Sequence, residues 1–319
     1  MMRNKAISLI RMISVMMIIS CHIFQVLNMQ LAQWFNVGVQ VFLCISGYLY
    51  GQKNTISIPS FYYRRFKKIL VPYYLVYIPF GAMLFLFARD SFSPILFLRG
   101  LFLNTTIKGA GHLWFVPTIL MCYFITPILE AYRDEYENSK RSLLYFEAIA
   151  IIITSLFFGV FDRFFNPAWI CCYIIGYILG INERTNYLGK RFLLYSVGII
   201  ALLGNSIQIY CSISEITQFR GYSTFANYNH LALGVFLFIL LKKYFDDLEI
   251  PGTDLILNIS DKYSYEVYLV HAMIILGPFS LISFTQVLAV NIILILGIVA
   301  ILAWLLKILE GIILQLIEK

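Results

Sequence analysis

The first apolar stretch of the chain decides its fold class. It reads Ile7-Ser-Leu-Ile-Arg-Met-Ile-Ser-Val-Met-Met-Ile-Ile-Ser-Cys-His-Ile-Phe-Gln-Val-Leu27. A helix needs about 20 apolar residues to cross the hydrocarbon core of a bilayer, and this stretch is long enough. A cleavable signal peptide is the alternative, but Arg11 interrupts the apolar run and no small-residue cleavage site follows. We therefore interpret the stretch as a transmembrane helix.

The composition of the whole chain agrees with that interpretation. Of its 319 residues, 60% are hydrophobic and 13% are charged, and the mean hydropathy is +0.80. Soluble domains carry about 25% charged residues, so a soluble globular enzyme is excluded. The net charge of +7 indicates cytoplasmic anchoring loops rather than a nucleic-acid partner. The six cysteines have no paired spacing, so we predict neither a disulfide framework nor a metal site.

The same length criterion predicts an all-α integral membrane protein with about ten transmembrane helices in one domain spanning residues 1–319. The candidate spans are residues 7–27, 35–51, 70–88, 113–132, 143–161, 168–182, 192–212, 228–241, 263–280 and 287–306. With both termini in the cytoplasm, 18 Lys and Arg residues fall inside and five outside, as the positive-inside rule requires. We expect residues 94–103 to form a re-entrant or surface helix and residues 307–317 to prolong the last span.

Two ionisable residues lie within the first span. A charge near the bilayer centre costs at least about 2.5–3.5 kcal/mol, so Arg11 and His22 are functional candidates. They are 11 positions apart, which corresponds to a net rotation of about 20° and a rise of about 16 Å on an α-helix. Between them, the shared face carries Val15 and Ile18. The structural alternative is that Arg11 reaches the interface while His22 hydrogen-bonds a neighbouring helix.

Three further histidines lie at membrane depth or at its predicted outer edge. His112 opens the fourth span, His230 stands at the outer end of the eighth, and His271 is near the middle of the ninth. Ser264, Tyr268 and His271 share one helical face. Each histidine by itself is more often a capped or interfacial residue than a catalyst.

A basic run, Tyr62-Tyr-Arg-Arg-Phe-Lys-Lys68, precedes the third span. It is expected to anchor the protein on anionic lipid. Arg65 and Lys68 also share a helical face and offer phosphate-binding groups. A more specific hypothesis is that they bind a polyphosphate ligand.

Five elements in order resemble acyltransferase family 3, a family of membrane-embedded acyltransferases. Arg11 and His22 match its Arg-x10-His signature, and Gly38-Val-Gln-Val-Phe-Leu-Cys-Ile-Ser-Gly-Tyr-Leu49 resembles its second helix. Arg65 and Lys68 resemble its Arg-x-x-Arg element. His112-Leu-Trp-Phe115 with Tyr123 and Pro127 resembles its HxWF helix, and Ser264-Tyr-Glu-Val-Tyr-Leu-Val-His271 its SxxxYLxH motif.

The sequence departs from the family pattern at two positions. Gln40 stands where many members carry an acidic residue, so a carboxylate role at that position is absent. Lys68 replaces the second Arg of the basic element, which keeps the charge but loses bidentate phosphate binding. We also expect a stand-alone member without the esterase-like domain of some relatives.

The resemblance implies O-acyl transfer, with acetyl as the expected group, from cytoplasmic acyl-CoA to a hydroxyl of a cell-surface glycan or glycolipid. It implies a multi-pass protein of the bacterial cytoplasmic membrane, acyl-CoA as co-substrate with no bound cofactor, and the possible help of a separate envelope transferase. His22 and Arg11 would be catalytic, and Arg11, Arg65 and Lys68 would bind the donor. The candidates for acceptor binding or oxyanion stabilisation are His112, Trp114, Ser264, Tyr268 and His271.

Two other classes of function stay open at this level. A transporter or flippase for a lipid-linked sugar or small solute would also use Arg11 and the buried histidines. We find no inverted repeat and no matching pair of broken helices, which are typical of transporters. A membrane scaffold would leave the shared face of Arg11 and His22 unexplained.

Overall fold

The computed structural model describes residues 4–54, 57–104, 107–136, 152–153, 166–185, 190–218, 221–246 and 252–318. Every regular element within these ranges is helical. The α-helices bounded there are α1 (Lys5–Val26), α2 (Leu31–Phe35), α3 (Gly38–Gly51), α4 (Ile58–Phe87), α5 (Pro94–Leu101), α6 (Phe115–Tyr136), α7 (Pro167–Thr185), α8 (Lys190–Ile213), α9 (Tyr222–Phe245), α10 (Asp254–Ile275) and α11 (Leu288–Ile317). Short 3-10 helices cover Arg89–Ser91 and Gly111–Trp114.

Six helices of the described residues are long and apolar enough to cross a membrane. They are Lys5–Val26, Ile58–Phe87, Gly111–Asp134, Leu194–Ile213, Tyr222–Phe245 and Leu288–Ile317, and each coincides with a predicted span. The predicted spans 35–51, 168–182 and 263–280 correspond to α3, α7 and α10, which are helical but are not among the six. The predicted span 143–161 lies outside the described residues, apart from 152–153. The count of ten and the orientation of the termini stay predictions.

Several helices extend beyond the predicted spans or stop short of them. Helix α4 begins at Ile58, before the predicted span 70–88, so the basic run lies inside the helix. Pro59 in the first turn is compatible with this start, because proline is tolerated where the backbone N–H has no helical partner. Helix α10 ends at Ile275, five residues before the predicted end, since Gly277 adopts φ +83° and Pro278 follows. The predicted extension over 307–317 is confirmed.

The chain divides into two compact units. The first comprises Met1–Ser14, Asn36–Ile56 and Phe124–Leu257, and the second Val15–Phe35, Ser57–Tyr123 and Asn258–Lys319. Helices α1, α6 and α10 contribute residues to both units. The first unit contains α3, α7, α8 and α9, and the second contains α4, α5 and α11.

In the first unit, α3 and α7 pack through glycines spaced four residues apart. Gly47 and Gly51 of α3 face α7, and Gly176 and Gly180 of α7 face α3. A Cβ added at any of them would overlap a backbone carbonyl oxygen of the other helix, so the two backbones are in direct contact. The carbonyls concerned are those of Tyr173, Tyr177, Cys44 and Tyr48. Small residues at this spacing permit such close approach in a membrane, where packing rather than the hydrophobic effect drives helix association.

In the second unit, tyrosines of α4 hold the short helix α5. The hydroxyls of Tyr73 and Tyr74 donate to the carbonyls of Gly100 and Leu101 at 2.7 and 2.8 Å. The hydroxyl of Tyr77 donates to carbonyls one turn earlier. Gly100 and Leu101 lie in the last turn of α5, where the regular helical hydrogen bonds end, so the two hydroxyls supply further donors there. The prediction of a helix over 94–103 is thus confirmed, as α5, for residues 94–101.

A buried ionic group joins α10 to α11. The Lys307 ammonium lies 2.7 Å from a carboxylate oxygen of Glu266 and 2.8 Å from one of Glu310. Both glutamates are buried. Removing one partner of a buried ion pair leaves an uncompensated charge, so this group fixes α10, the helix that carries Tyr268 and His271, against its neighbour.

We expect Gly176→Ala to destabilise the protein, because the added methyl group forces α3 and α7 apart. Overpacking of this kind costs about 1–3 kcal/mol. The measurement is the midpoint of thermal unfolding of the purified protein in one detergent. Gly297→Ala in α11 is the matched control, since no atom lies within 4 Å of its added Cβ and alanine is the better helix former. Equal midpoints for the two variants would contradict the close contact.

Candidate active site

Three histidines from three separate elements of the second unit come together. His22 lies in α1, His112 in the 3-10 helix Gly111–Trp114, and His271 in α10. The ring centroids of His22 and His271 are 5.1 Å apart, those of His112 and His271 5.2 Å, and those of His22 and His112 6.2 Å. His112 and His271 are buried, and His22 is partly exposed. We call this group the histidine cluster, and His22 is its accessible member.

Backbone carbonyls fix the tautomers of the two buried histidines. Nε2 of His112 is 3.0 Å from the carbonyl oxygen of Leu269, and Nδ1 of His271 is 2.7 Å from that of Tyr268. A carbonyl oxygen accepts only, so these ring nitrogens carry the protons. Nδ1 of His112 and Nε2 of His271 are buried without a hydrogen-bond partner. Two lone pairs are thus left available within the cluster.

The side chain of Gln25 fixes the tautomer of His22. Its side-chain oxygen lies 2.6 Å from Nδ1 of His22, one turn further along α1. The amide oxygen accepts the Nδ1 proton, which leaves the Nε2 lone pair of His22 unprotonated. The sequence analysis did not single out Gln25, although its i+3 spacing from His22 puts the two side chains on one helical face.

Tyr268 connects the two elements that carry the buried histidines. Its hydroxyl donates to the backbone carbonyl of His112, and its ring packs against the rings of His112 and Phe115. Together with the bond from His112 to Leu269, this makes a reciprocal pair of hydrogen bonds between the 3-10 helix and α10. The Tyr268 hydroxyl is therefore engaged in positioning His112.

Two glycines are in close contact where the backbone before the 3-10 helix meets the backbone after α10. Gly109, three residues before His112, and Gly277, just after α10, have φ values of +84° and +83°. A Cβ on Gly277 would lie 2.6 Å from Cα of Gly109. Both the left-handed conformation and the close approach require glycine at this point.

The other predicted site residues of the second unit are Ser264, Trp114, Arg65 and Lys68. The hydroxyl of Ser264 donates to the carbonyl of Ser260 at 2.8 Å, one turn back along α10. The ring of Trp114 lies 6.3 Å from that of Phe115, between centroids. Arg65 is half-buried and Lys68 exposed in the first half of α4. These contacts do not test the roles predicted for the four residues.

Arg11 shares the continuous helix α1 with His22, but it belongs to the first unit. It is half-buried, whereas Val15 and Ile18 on the intervening face are buried. His230 also lies in the first unit, where its Nε2 is 3.3 Å from the amide nitrogen of Gln208. His230 thus belongs to a separate polar group between α8 and α9.

The histidine cluster has the properties of a site for acid–base or nucleophilic chemistry. An imidazole with one nitrogen held by an oxygen acceptor presents the other nitrogen as a base or nucleophile. Across the described residues, no group of three or more His, Cys, Asp or Glu side chains has a geometry that could hold a metal ion. His22 is the partly exposed member of the cluster, and its Nδ1 is the nitrogen that contacts Gln25.

The fold and the cluster together define a helical membrane protein with an imidazole site. The chain matches the family model Acyl_transf_3, an acyltransferase domain, over residues 4–308. It therefore belongs to acyltransferase family 3, which supports a membrane acyltransferase. No curated protein and no solved structure shows a significant match.

We expect Tyr268→Phe to destabilise the second unit, because the buried His112 carbonyl loses one of its two donors and keeps only the backbone N–H of Phe115. A lost hydrogen bond of this kind costs about 0.5–1.5 kcal/mol. Tyr263→Phe on the same helix is the control, since the described contacts include no hydrogen bond of its hydroxyl. Hydrogen exchange of the backbone amides around residue 112 measures the effect. Unchanged exchange in Tyr268→Phe would show that the bond does not hold this segment.

Proposed function

We propose that this protein transfers an acyl group, with acetyl as the proposed group, from acyl-CoA to a hydroxyl of a cell-surface glycan or glycolipid. The observation that carries the proposal is the histidine cluster, in which an accessible imidazole with a fixed tautomer lies beside two buried ones. Acyl transfer needs a base or a nucleophile of this kind near neutral pH.

His22 is proposed as the residue that reacts. As a general base, its Nε2 takes the proton of the acceptor hydroxyl while that oxygen attacks the thioester carbonyl. The carbon–sulfur bond then breaks, and the CoA thiolate receives the proton. As a nucleophile, Nε2 attacks the thioester carbonyl, the carbon–sulfur bond breaks, and CoA leaves as the thiolate. The acceptor hydroxyl then attacks the acyl-imidazole and the carbon–nitrogen bond breaks, so that the hydroxyl proton passes to Nε2 and from there to the thiolate. Both routes use the same lone pair.

His112 and His271 are proposed to assist His22. Their unpartnered nitrogens, Nδ1 of His112 and Nε2 of His271, are buried and accept hydrogen bonds. An acceptor hydroxyl entering the cluster would satisfy one of them, which would orient the attacking oxygen. Because their other nitrogens are held by Leu269 and Tyr268, the tautomers need no rearrangement when the acceptor arrives.

The donor is proposed to bind through cations on the cytoplasmic side. Arg65 and Lys68 would contact the phosphates of CoA, and Arg11 would contribute from α1. The pantetheine arm would run along the apolar face of α1 that carries Val15 and Ile18, between Arg11 and His22. The acceptor would arrive from the opposite side, in the cytoplasmic membrane of a bacterium.

We expect His22→Ala to abolish transfer, because it removes the reacting nitrogen. Loss of a general base lowers the rate by about 100-fold or more. The measurement is the base-labile ester content of surface polysaccharide in cells that carry the wild type, the variant or no copy. His230→Ala is the matched control, a buried histidine outside the cluster, and it should keep the ester content.

The outcomes separate the hypotheses. Wild-type ester content in His22→Ala at equal expression would show that His22 is structural and that the proposed mechanism is wrong. If no copy changes the ester content, the transporter or flippase alternative gains support. Binding of acetyl-CoA by the purified protein distinguishes the same classes, because neither a flippase nor a scaffold requires it.

We expect Gln25→Glu to shift the pH dependence of transfer. A carboxylate beside Nδ1 stabilises the protonated imidazole. As the pH is lowered, His22 therefore becomes protonated, and stops acting as a base, at a higher pH than in the wild type. The acidic limb of the pH–activity profile should move upward by about one pH unit. Acetyl-CoA-dependent transfer in membranes, measured across pH, reports the shift.

Gln33→Glu provides the control for this experiment. Gln33 lies in α2 of the same unit. Its substitution adds the same charge, and the described contacts include none between Gln33 and His22. Its profile should match the wild type. A Gln25→Glu profile that also matches the wild type would show that Gln25 does not act on His22.

A further inference from the structure

A separate cavity lies among four helices of the first unit. It has a volume of about 330 Å³ and is lined by residues of α3, α7, α8 and α9 and by Asp246 just after α9. This volume falls in the range of small-molecule sites. The lining residues come from the last turns of α3, α7 and α9 and the first turns of α8, so the cavity lies where these helices end.

The cavity has an apolar wall and a cationic edge. Leu179, Leu194, Phe238 and Ile239 supply the apolar wall, and Phe238 packs against the ring of Tyr48 at 5.2 Å between centroids. The edge carries Arg191 and Lys243, both exposed. The cavity therefore suits a molecule that joins an anionic group to a hydrocarbon chain.

One cation of the cavity is paired within the protein, and among the described residues two are not. Lys242 is buried and is used within the protein, since its ammonium pairs with Asp246 and lies 3.4 Å from a carboxylate oxygen of Glu183. The two carboxylates more than offset its charge. Arg191 and Lys243 show no ion pair or hydrogen bond within the part of the chain that the structure describes. Two positive charges at the cavity edge are thus available to a ligand.

We infer that this cavity binds an anionic phospholipid, with the phosphate at Arg191 and Lys243 and the start of an acyl chain against Phe238 and Ile239. Basic pockets between transmembrane helices are recognised lipid headgroup sites on the cytoplasmic side. The positive-inside prediction assigns Arg191, Lys242 and Lys243 to that side. The inference does not rest on the proposed acyl transfer.

The test measures which lipids the full-length protein retains. The protein is reconstituted in nanodiscs of equal parts phosphatidylglycerol and phosphatidylcholine, gently extracted, and its bound lipids are quantified by mass spectrometry. The wild type should retain phosphatidylglycerol preferentially. Each cation near the surface contributes about 1 kcal/mol, so Arg191→Gln with Lys243→Gln should lower the retained ratio of phosphatidylglycerol to phosphatidylcholine by about 30-fold.

Two further variants make the result specific. Lys53→Gln with Lys262→Gln removes two exposed cations that lie outside the cavity, and it should retain phosphatidylglycerol as the wild type does. Ile239→Trp keeps the cations but fills the apolar wall, and it should lower the same ratio because the chain is excluded.

Two results would overturn the inference. The first is an unchanged lipid ratio in the Arg191→Gln, Lys243→Gln double variant. The second is displacement of phosphatidylglycerol from the wild type by acetyl-CoA, combined with loss of acetyl-CoA binding in the double variant, because the cavity would then belong to the acyl donor.

Discussion

Two hydrogen bonds in opposite directions between the segment Gly111–Trp114 and α10 are the contact on which the candidate site depends. The His112 ring donates to the carbonyl of Leu269, and the Tyr268 hydroxyl donates to the carbonyl of His112. A membrane interior supplies no water to replace such bonds, so each one holds its segment firmly. The carbonyl of Leu269 lies within the regular helix α10. This helix therefore fixes the position of the irregular segment Gly111–Trp114. The position of His112 beside His271 follows from this arrangement.

The same contact explains why the cluster keeps unsatisfied nitrogens. A buried polar atom without a partner costs about 1–3 kcal/mol, and both Nδ1 of His112 and Nε2 of His271 are in that state. Each ring donates one N–H to a backbone carbonyl, and its other nitrogen is buried without a partner. An arrangement that served stability alone would have paired these atoms. Their retention supports a site that a polar reactant completes.

The sequence predicted the individual residues of the site better than their arrangement. Helical periodicity placed His22 on a defined face of α1, and motif spacing singled out His112 and His271. Periodicity describes one helix at a time, so it could not show that the three rings meet. Its spacing from His22 could have identified Gln25 as well. A polar residue near the end of a helix is common, however, so Gln25 was not singled out. Helix α4 begins before the predicted span, because charged residues do not interrupt a helix that leaves the hydrocarbon core.

The glycines of α3 and α7 carry a consequence beyond close packing. Because the spacing is four on both helices and each glycine opposes a carbonyl, the contact selects one axial register. A shift of one turn would carry Leu43 into the place of Gly47, opposite the carbonyl of Tyr173. The side chain has no room there, so a shift of one turn in this direction is blocked. We therefore expect α3 and α7 to move as one body.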